Sequence, residues 1–259
     1  MTEIIASDGS RLHYALHGTG ATELILLHGM GATGASWEPV LAQLDLAAFR
    51  VLVPDLRGHG RSSGGEDRFT YPQLTADILA LADAVGFHAA TIVSQSGSGK
   101  NAACVARTAP QRVRGLVLLA PPGFGEVPLP REMLRELFDY IGREHSFPPG
   151  LETWFGPKIG PHRATVIRSY VETPRRVLDA SAELWVHTSV AATAAEITQP
   201  VLVLAGAREP LYHPAYQRET TLTTLPHARL EVLDCSHFMT FEEPAAVAAA
   251  LTTFCGAGR

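Results

Sequence analysis

The chain has 259 residues, of which 46% are hydrophobic and 18% charged, a composition that suits one large α/β domain or a domain with an insertion. A formal net charge of −5, with lysines and arginines scattered along the chain, excludes a nucleic-acid footprint. At this length roughly 75% of the unfolded surface can be buried, so neither a disulfide framework nor a structural metal is required.

The opening MTEIIASDGSRLHY has no basic region followed by a long apolar run, so no signal peptide is expected. No apolar segment reaches the ~18 residues of a membrane span, and a cytoplasmic protein with no membrane partner is expected. Residues 2–6 and 11–16 alternate around Asp8-Gly9, the pattern of a strand pair. Leu24–Leu27 and Arg50–Pro54 are short apolar runs of buried-strand type, and helical spacing lies between them at 36–45. Leu74, Ile78, Leu81 and Val85 mark a helix over 71–85. Ala90–Val93 reads as a strand, 100–108 as a helix and Gly115–Ala120 as another strand. Buried runs alternating with helices predict a mainly parallel sheet covered by helices on both faces.

The rhythm breaks between Pro121 and Thr198. Helices are predicted there at 131–141, 163–171 and 175–186, with Phe138, Phe147, Trp154, Phe155, Tyr170 and Trp185 among them. Strands return at 200–205 and 230–233, and a helix closes the chain at about 243–254. The expected organisation is a core of residues 1–120 and 199–259 with a helical cap inserted at 121–198. Cys104, Cys235 and Cys255 are odd in number and form no spaced motif, so they read as reduced thiols.

The segment IVSQSGSGKN (92–101) holds serines at 94, 96 and 98. A phosphate-binding loop would need glycine where Ser94 stands, and serine or threonine where Asn101 stands. Strand, sharp turn and helix fit better, with a nucleophile at the turn and small residues two positions to either side. Centring the turn on Ser96 puts the apolar run directly before it and the helix directly after it. Centring on Ser98 would put Lys100 where a small residue is needed.

Three further segments each follow an apolar run: His28-Gly29-Met30-Gly31, Asp55-Leu56-Arg57-Gly58-His59-Gly60-Arg61-Ser62, and Cys235-Ser236-His237-Phe238. In this order, together with the Ser96 turn, they resemble the α/β-hydrolase superfamily over almost the whole chain, loosely so in the 121–198 cap. The sequence departs from the usual glycines flanking the nucleophile, having Ser94 and Ser98 there. The resemblance implies an α/β-hydrolase fold, a Ser96 nucleophile and a His237 base. His59 is implied to be structural. The acid slot, three residues after Gly206, holds Glu209. Asp234 is the other candidate, but it sits at a strand end, poorly placed to reach His237 Nδ1. An oxyanion hole would come from the Gly97 and Met30 N–H groups, the first at a helix N-terminus.

The implied reaction is hydrolysis of a carboxylic ester or lactone through an acyl-Ser96 intermediate. Met30, Gln95, Phe124, Phe138, Trp154, Trp185 and Phe238 are expected to line the pocket. The aromatics of the cap, with Met30 and Met133, suggest an apolar small-molecule substrate. No metal and no organic cofactor is implied, because no His/Cys/Asp cluster has ligand spacing and no dinucleotide fingerprint opens the first helix. A C–C bond hydrolase and a cofactor-free haloperoxidase or perhydrolase use the same residues. A non-hydrolytic receptor or a biosynthetic cyclase would borrow the pocket. A serine at 96 argues against a dehalogenase or an epoxide hydrolase, which would need a carboxylate there.

Overall fold

The computed structural model describes residues 2–64 and 69–256. Eight strands form one sheet: β1 (Glu3–Ile5), β2 (Arg11–His17), β3 (Thr22–Leu27), β4 (Phe49–Pro54), β5 (Ala90–Gln95), β6 (Val113–Leu119), β7 (Val201–Gly206) and β8 (Arg229–Leu233). Their order across the sheet is β1-β2-β4-β3-β5-β6-β7-β8. β1 and β2 pair antiparallel, β2 runs antiparallel to β4, and the remaining pairs are parallel. The predicted α/β-hydrolase fold is the observed one.

The helices are α1 (Glu38–Leu41), α2 (Tyr71–Ala84), α3 (Ser98–Thr108), α4 (Arg131–Glu144), α5 (His162–Glu172), α6 (Arg175–His187), α7 (Ala191–Ala194), α8 (Pro214–Glu219), α9 (Thr221–Thr224), α10 (Met239–Glu242) and α11 (Pro244–Gly256). The expected helix over 36–45 is shorter: a 3₁₀ turn at Gly34–Trp37 runs into the single turn of α1, and Gln43 and Leu44 already bond three residues back. The one-turn helices α7, α9 and α10 carry too few residues for periodicity to reveal them.

Because successive side chains on a strand point to opposite faces, each buried strand feeds two cores. Ile25 and Leu27 face the same side as Leu52, Ile92, Leu116 and Leu118, where α2 and α3 pack. Leu24 and Leu26 face the other, with Val51, Val93, Val117, Trp37 and the α11 residues Val247, Leu251 and Phe254. Ala102, Ala103 and Ala106 keep α3 slim enough to be buried along most of its length. The segment between β6 and β7 has no strand; it builds a third cluster from Leu137, Phe138, Ile141, Phe147, Phe155 and Leu178, continuous with Tyr212, Phe238 and Phe241.

Arg57 is a fully buried cation that ties the sheet edge together. Its guanidinium forks onto Asp77 of α2 at 2.7 Å and 2.7 Å, and Nη1 reaches Asp8 at 2.7 Å and Ser10 at 2.8 Å. A hydrogen bond from the Ser10 backbone, helped by Arg57, holds the Asp8 carboxyl at about 2, against the opposing effect of burial. Among the described residues no helix is long and apolar enough to cross a membrane.

Candidate active site

The carboxyl ends of β3, β5, β7 and β8 open on one side of the sheet, and each is followed by a loop bearing a candidate residue. After β5 the chain turns at Ser96, whose φ is +56°. That is a costly conformation for a residue with a Cβ. It is pinned by neighbours: Ser96 N–H donates to Leu119 O at 2.8 Å, and Gly99 N–H donates back to Ser96 O at 3.0 Å. Gly29 passes close by, where an added Cβ would lie 3.3 Å from Ser96 Cβ. At Gly97 an added Cβ would lie 2.6 Å from the Trp185 ring.

The two flanking serines are fully buried and fit the turn in different ways. Ser98 Oγ donates to Gln95 O at 2.9 Å, with Leu27 O at 3.2 Å. Ser94 Oγ has no hydrogen-bond partner among the described residues.

His237 and Glu209 come together because β7 and β8 are neighbours. Ala207 N–H donates to Leu233 O at 2.8 Å and Arg208 N–H to Cys235 O at 2.9 Å, closing one loop onto the other. Gly206 makes that approach possible, since a Cβ there would sit 2.6 Å from Cys235 O. His237 Nδ1 lies 2.6 Å from Glu209 Oε2. The other carboxylate oxygen accepts N–H groups from Leu211 at 3.2 Å and Tyr212 at 3.3 Å. Burial alone would raise the Glu209 carboxyl. The imidazole beside it and these N–H groups outweigh burial and hold it below the ordinary glutamate range.

Asp234 faces outward, paired with Arg208 and, at 3.2 Å, with Lys158. Hydrogen bonds from Lys158 and Arg208 hold its carboxyl below the usual value. The loop carrying His237 is tied down on several sides. Gln95 Nε2 donates to His237 O at 3.0 Å, His237 N–H to Trp154 O at 3.3 Å, and Ser236 Oγ to Thr153 O at 2.9 Å. Buried Glu242 accepts Ser236 N–H at 3.2 Å.

The turn after β3 is held by His28. Its Nε2 accepts Leu56 N–H at 2.9 Å, so Nδ1 carries the proton and donates to Gly29 O at 2.8 Å. Burial lowers the pKa of His28 and keeps it neutral in this role. Gly31, at φ +65°, completes a turn closed by Ala32 N–H to Gly29 O at 3.3 Å. The N–H groups of Met30 and Gly97 have no acceptor among the described residues, and both residues line the same cavity. His59 is buried beside His28 and Trp185, outside that cavity, and burial lowers its pKa to about 3.

This cavity, about 860 Å³ when the open solvent at its mouth is counted, brings together Ser96, His237, Met30, Gln95, Gly97, Trp154, Trp185 and Phe238. Two expected pocket residues do not line it. Phe124 is spent in the core of the sheet's α3 side, and Phe138 packs inside the helical segment, where Arg175 lies 5.7 Å from its ring centre. Met133 is 41% exposed on the outer side of α4 and does not reach the cavity either. Residues not anticipated as lining include Leu134, Val166, Tyr170, Tyr212 and Phe241. Tyr212 lies three residues past Glu209, a signal that could have found it; nothing local marks Tyr170. Among the described residues no three side chains of His, Cys, Asp or Glu are gathered so as to hold a metal ion.

The fold and this cleft define an α/β hydrolase: the profile of the alpha/beta hydrolase family matches residues 24–250, and the chain belongs to that family. Over 92% of its length the chain is 27% identical to the 2-hydroxy-6-oxononadienedioate/2-hydroxy-6-oxononatrienedioate hydrolase of Burkholderia vietnamiensis, covering 89% of that protein. Over 46% of its length it is 40% identical to the dihydrolipoyllysine-residue acetyltransferase component of the acetoin cleaving system of Cupriavidus necator. Only 32% of that protein is covered, and the chain spans about a third of the first curated relatives it matches. A solved hydrolase from Pseudomonas aeruginosa is similar throughout, with a TM-score of 0.81, 28% identity, and 98% and 97% of the two chains covered.

Proposed function

We propose that the protein hydrolyses a carboxylic ester or lactone through an acyl-Ser96 intermediate. One observation carries this reading: Ser96, strained at φ +56° between a buried strand and a helix, lines the same cavity as His237, whose Nδ1 is bonded to buried Glu209. A serine hydroxyl is a weak nucleophile until a base within reach takes its proton, and that base must be oriented by a third group. In the scheme Ser96 Oγ attacks the carbonyl carbon as its proton passes to His237 Nε2. Glu209 holds the Nδ1–H tautomer and stabilises the imidazolium. The carbonyl oxygen, now negative, is met by the free N–H groups of Met30 and Gly97. Collapse of this intermediate expels the alcohol oxygen, which leaves with the proton from His237. Water then attacks the acyl-enzyme, giving its proton to His237, and the acid departs as Ser96 regains its hydrogen.

The helical segment 121–198 acts as a cap over this centre, supplying Leu129, Leu134, Trp154, Val166, Tyr170 and Trp185 to the cavity wall. That wall is mainly apolar and suits an uncharged, largely apolar small molecule. A second reading, hydrolysis of a C–C bond beside a ketone, is favoured by the near-full-length likeness to the Burkholderia vietnamiensis enzyme. The substrate in that enzyme's name is a dicarboxylate. Here no lysine or arginine lines the cavity among the described residues, which favours the ester or lactone.

The test is covalent labelling with a fluorophosphonate, followed by turnover of nitrophenyl esters of increasing acyl length and a set of lactones. Labelling of wild type but not of Ser96→Ala, with ester or lactone turnover, is the expected result. An unlabelled, folded wild type that turns over neither class would overturn the reading.

A further inference from the structure

The cavity wall carries two phenol groups that the hydrolytic scheme does not use. Tyr170 of α5 and Tyr212 of the loop after Glu209 are 6% and 5% exposed, and both line the cavity. Several other buried or half-buried hydroxyls are satisfied within the chain. Tyr71 donates to Leu184 O at 2.8 Å, Tyr216 to Pro122 O at 2.7 Å, and Ser169 to Val166 O at 2.9 Å. Neither Tyr170 nor Tyr212 makes a side-chain hydrogen bond among the described residues. Burial pushes both phenols above their ordinary pKa, so each keeps its proton to donate.

Both rings are held in place. Tyr170 meets Phe147 edge-on at 5.4 Å and lies against Gly31, where an added Cβ would sit 2.5 Å from the ring. The Tyr212 ring centre is 5.9 Å from that of His237, and its backbone N–H is bonded to the Glu209 carboxylate. The two rings are therefore fixed relative to His237 and the turn at Gly31. In the free protein, water entering the cavity can satisfy them. A wholly apolar substrate would displace that water and leave two polar groups without partners, which disfavours its binding. A carboxylate at this place would meet no cation. An uncharged oxygen satisfies both conditions.

We infer that Tyr170 and Tyr212 recognise a neutral oxygen of the substrate besides the scissile carbonyl, so that the preferred substrates are oxygenated rather than plain fatty acyl compounds. The inference rests on the ester or lactone reading for the substrate class, while the recognition itself is a binding property that can be read without turnover. Because the phenols can both donate and accept, a keto or hydroxyl oxygen serves. A hydrogen bond of this kind changes kcat/KM by roughly tenfold.

Nitrophenyl hexanoate is compared with its 4-oxo and 5-oxo analogues, and the corresponding methyl esters are titrated calorimetrically into Ser96→Ala. The expected result is a preference of tenfold or more for at least one oxo ester, by kcat/KM in wild type and by Kd in Ser96→Ala. Adding Tyr170→Phe and Tyr212→Phe together should bring either ratio close to one. The inference is overturned if no oxo ester is preferred by either measure, or if the preference survives both phenylalanine substitutions. A binding preference that depends on the tyrosines, in a protein that fluorophosphonate does not label, would sustain the inference while removing the acyl-serine scheme.

Discussion

Glu209 Oε2 and His237 Nδ1 are 2.6 Å apart in a buried pair, although 28 residues separate them in the chain. Asp234, only three residues from the histidine, is turned to the surface and held by Arg208 and Lys158. Glu209→Gln should therefore lower kcat on a responsive ester by as much as ~10⁴-fold, since it removes the charge that fixes and stabilises the imidazole. Glu209→Asp, shorter by roughly 1.5 Å, should give an intermediate loss. Asp234→Asn should stay within about twofold of wild type, because exposed pairs contribute little. Steady-state kinetics of the three variants decide between the two acids.

The serines at 94, 96 and 98 should separate cleanly. Ser96→Ala should lose the proposed covalent route and retain about 10³–10⁴-fold over water. Ser96→Gly should be equally inactive yet melt higher than Ser96→Ala, since φ +56° strains alanine and not glycine. Ser94→Ala removes a hydroxyl that has no partner and should be neutral or stabilising by up to about 1 kcal/mol. Ser98→Ala loses its bonds to Gln95 O and Leu27 O and should cost about 1 kcal/mol. Thermal midpoints and ester turnover, measured together, check all four.

Lys100 is fully buried one turn into α3, with Nζ donating to Gly125 O at 2.6 Å and Thr188 O at 3.0 Å, where the chain leaves and re-enters the core. Burial lowers its pKa from 10.5 to about 8. Between those values the unfolded chain binds more protons than the folded one, so stability should rise with pH across that window. Below about 8 the full penalty of a buried charge applies. Above 10.5 it is gone. Against Lys100→Met, wild type should gain up to about 3 kcal/mol between pH 7.5 and 10.5. Urea midpoints of the two proteins across this range measure it, and parallel curves would contradict it.

Arg57 and Asp77 test the buried charge network away from the cavity. Arg57→Met leaves the 4%-exposed Asp77 carboxylate without its bidentate partner. That should destabilise the protein by about 3–5 kcal/mol. Asp77→Asn leaves Arg57 with Asp8 and Ser10 and should cost less. Denaturant unfolding of each variant gives the comparison.

Local chemistry made much of this protein legible in its sequence. Strands such as Leu24–Leu27 and Val201–Gly206 are buried on both faces, and a continuous apolar run reports that directly. The turn at Ser96 is legible because a strained turn tolerates only small neighbours, a constraint acting within five residues. The helices over 71–84, 131–144 and 175–187 likewise follow from the spacing of their own apolar residues. Tertiary structure decided the rest, because it depends on which elements become neighbours. The side-by-side pairing of β7 and β8 sets Glu209 against His237, and the packing of α5 over Gly31 turns Tyr170 into the cavity wall. Other packing takes Phe124 into the core beside α3 and Phe138 into the helical segment, out of that wall. An aromatic residue is equally content in either place, because its burial is rewarded by area and not by address.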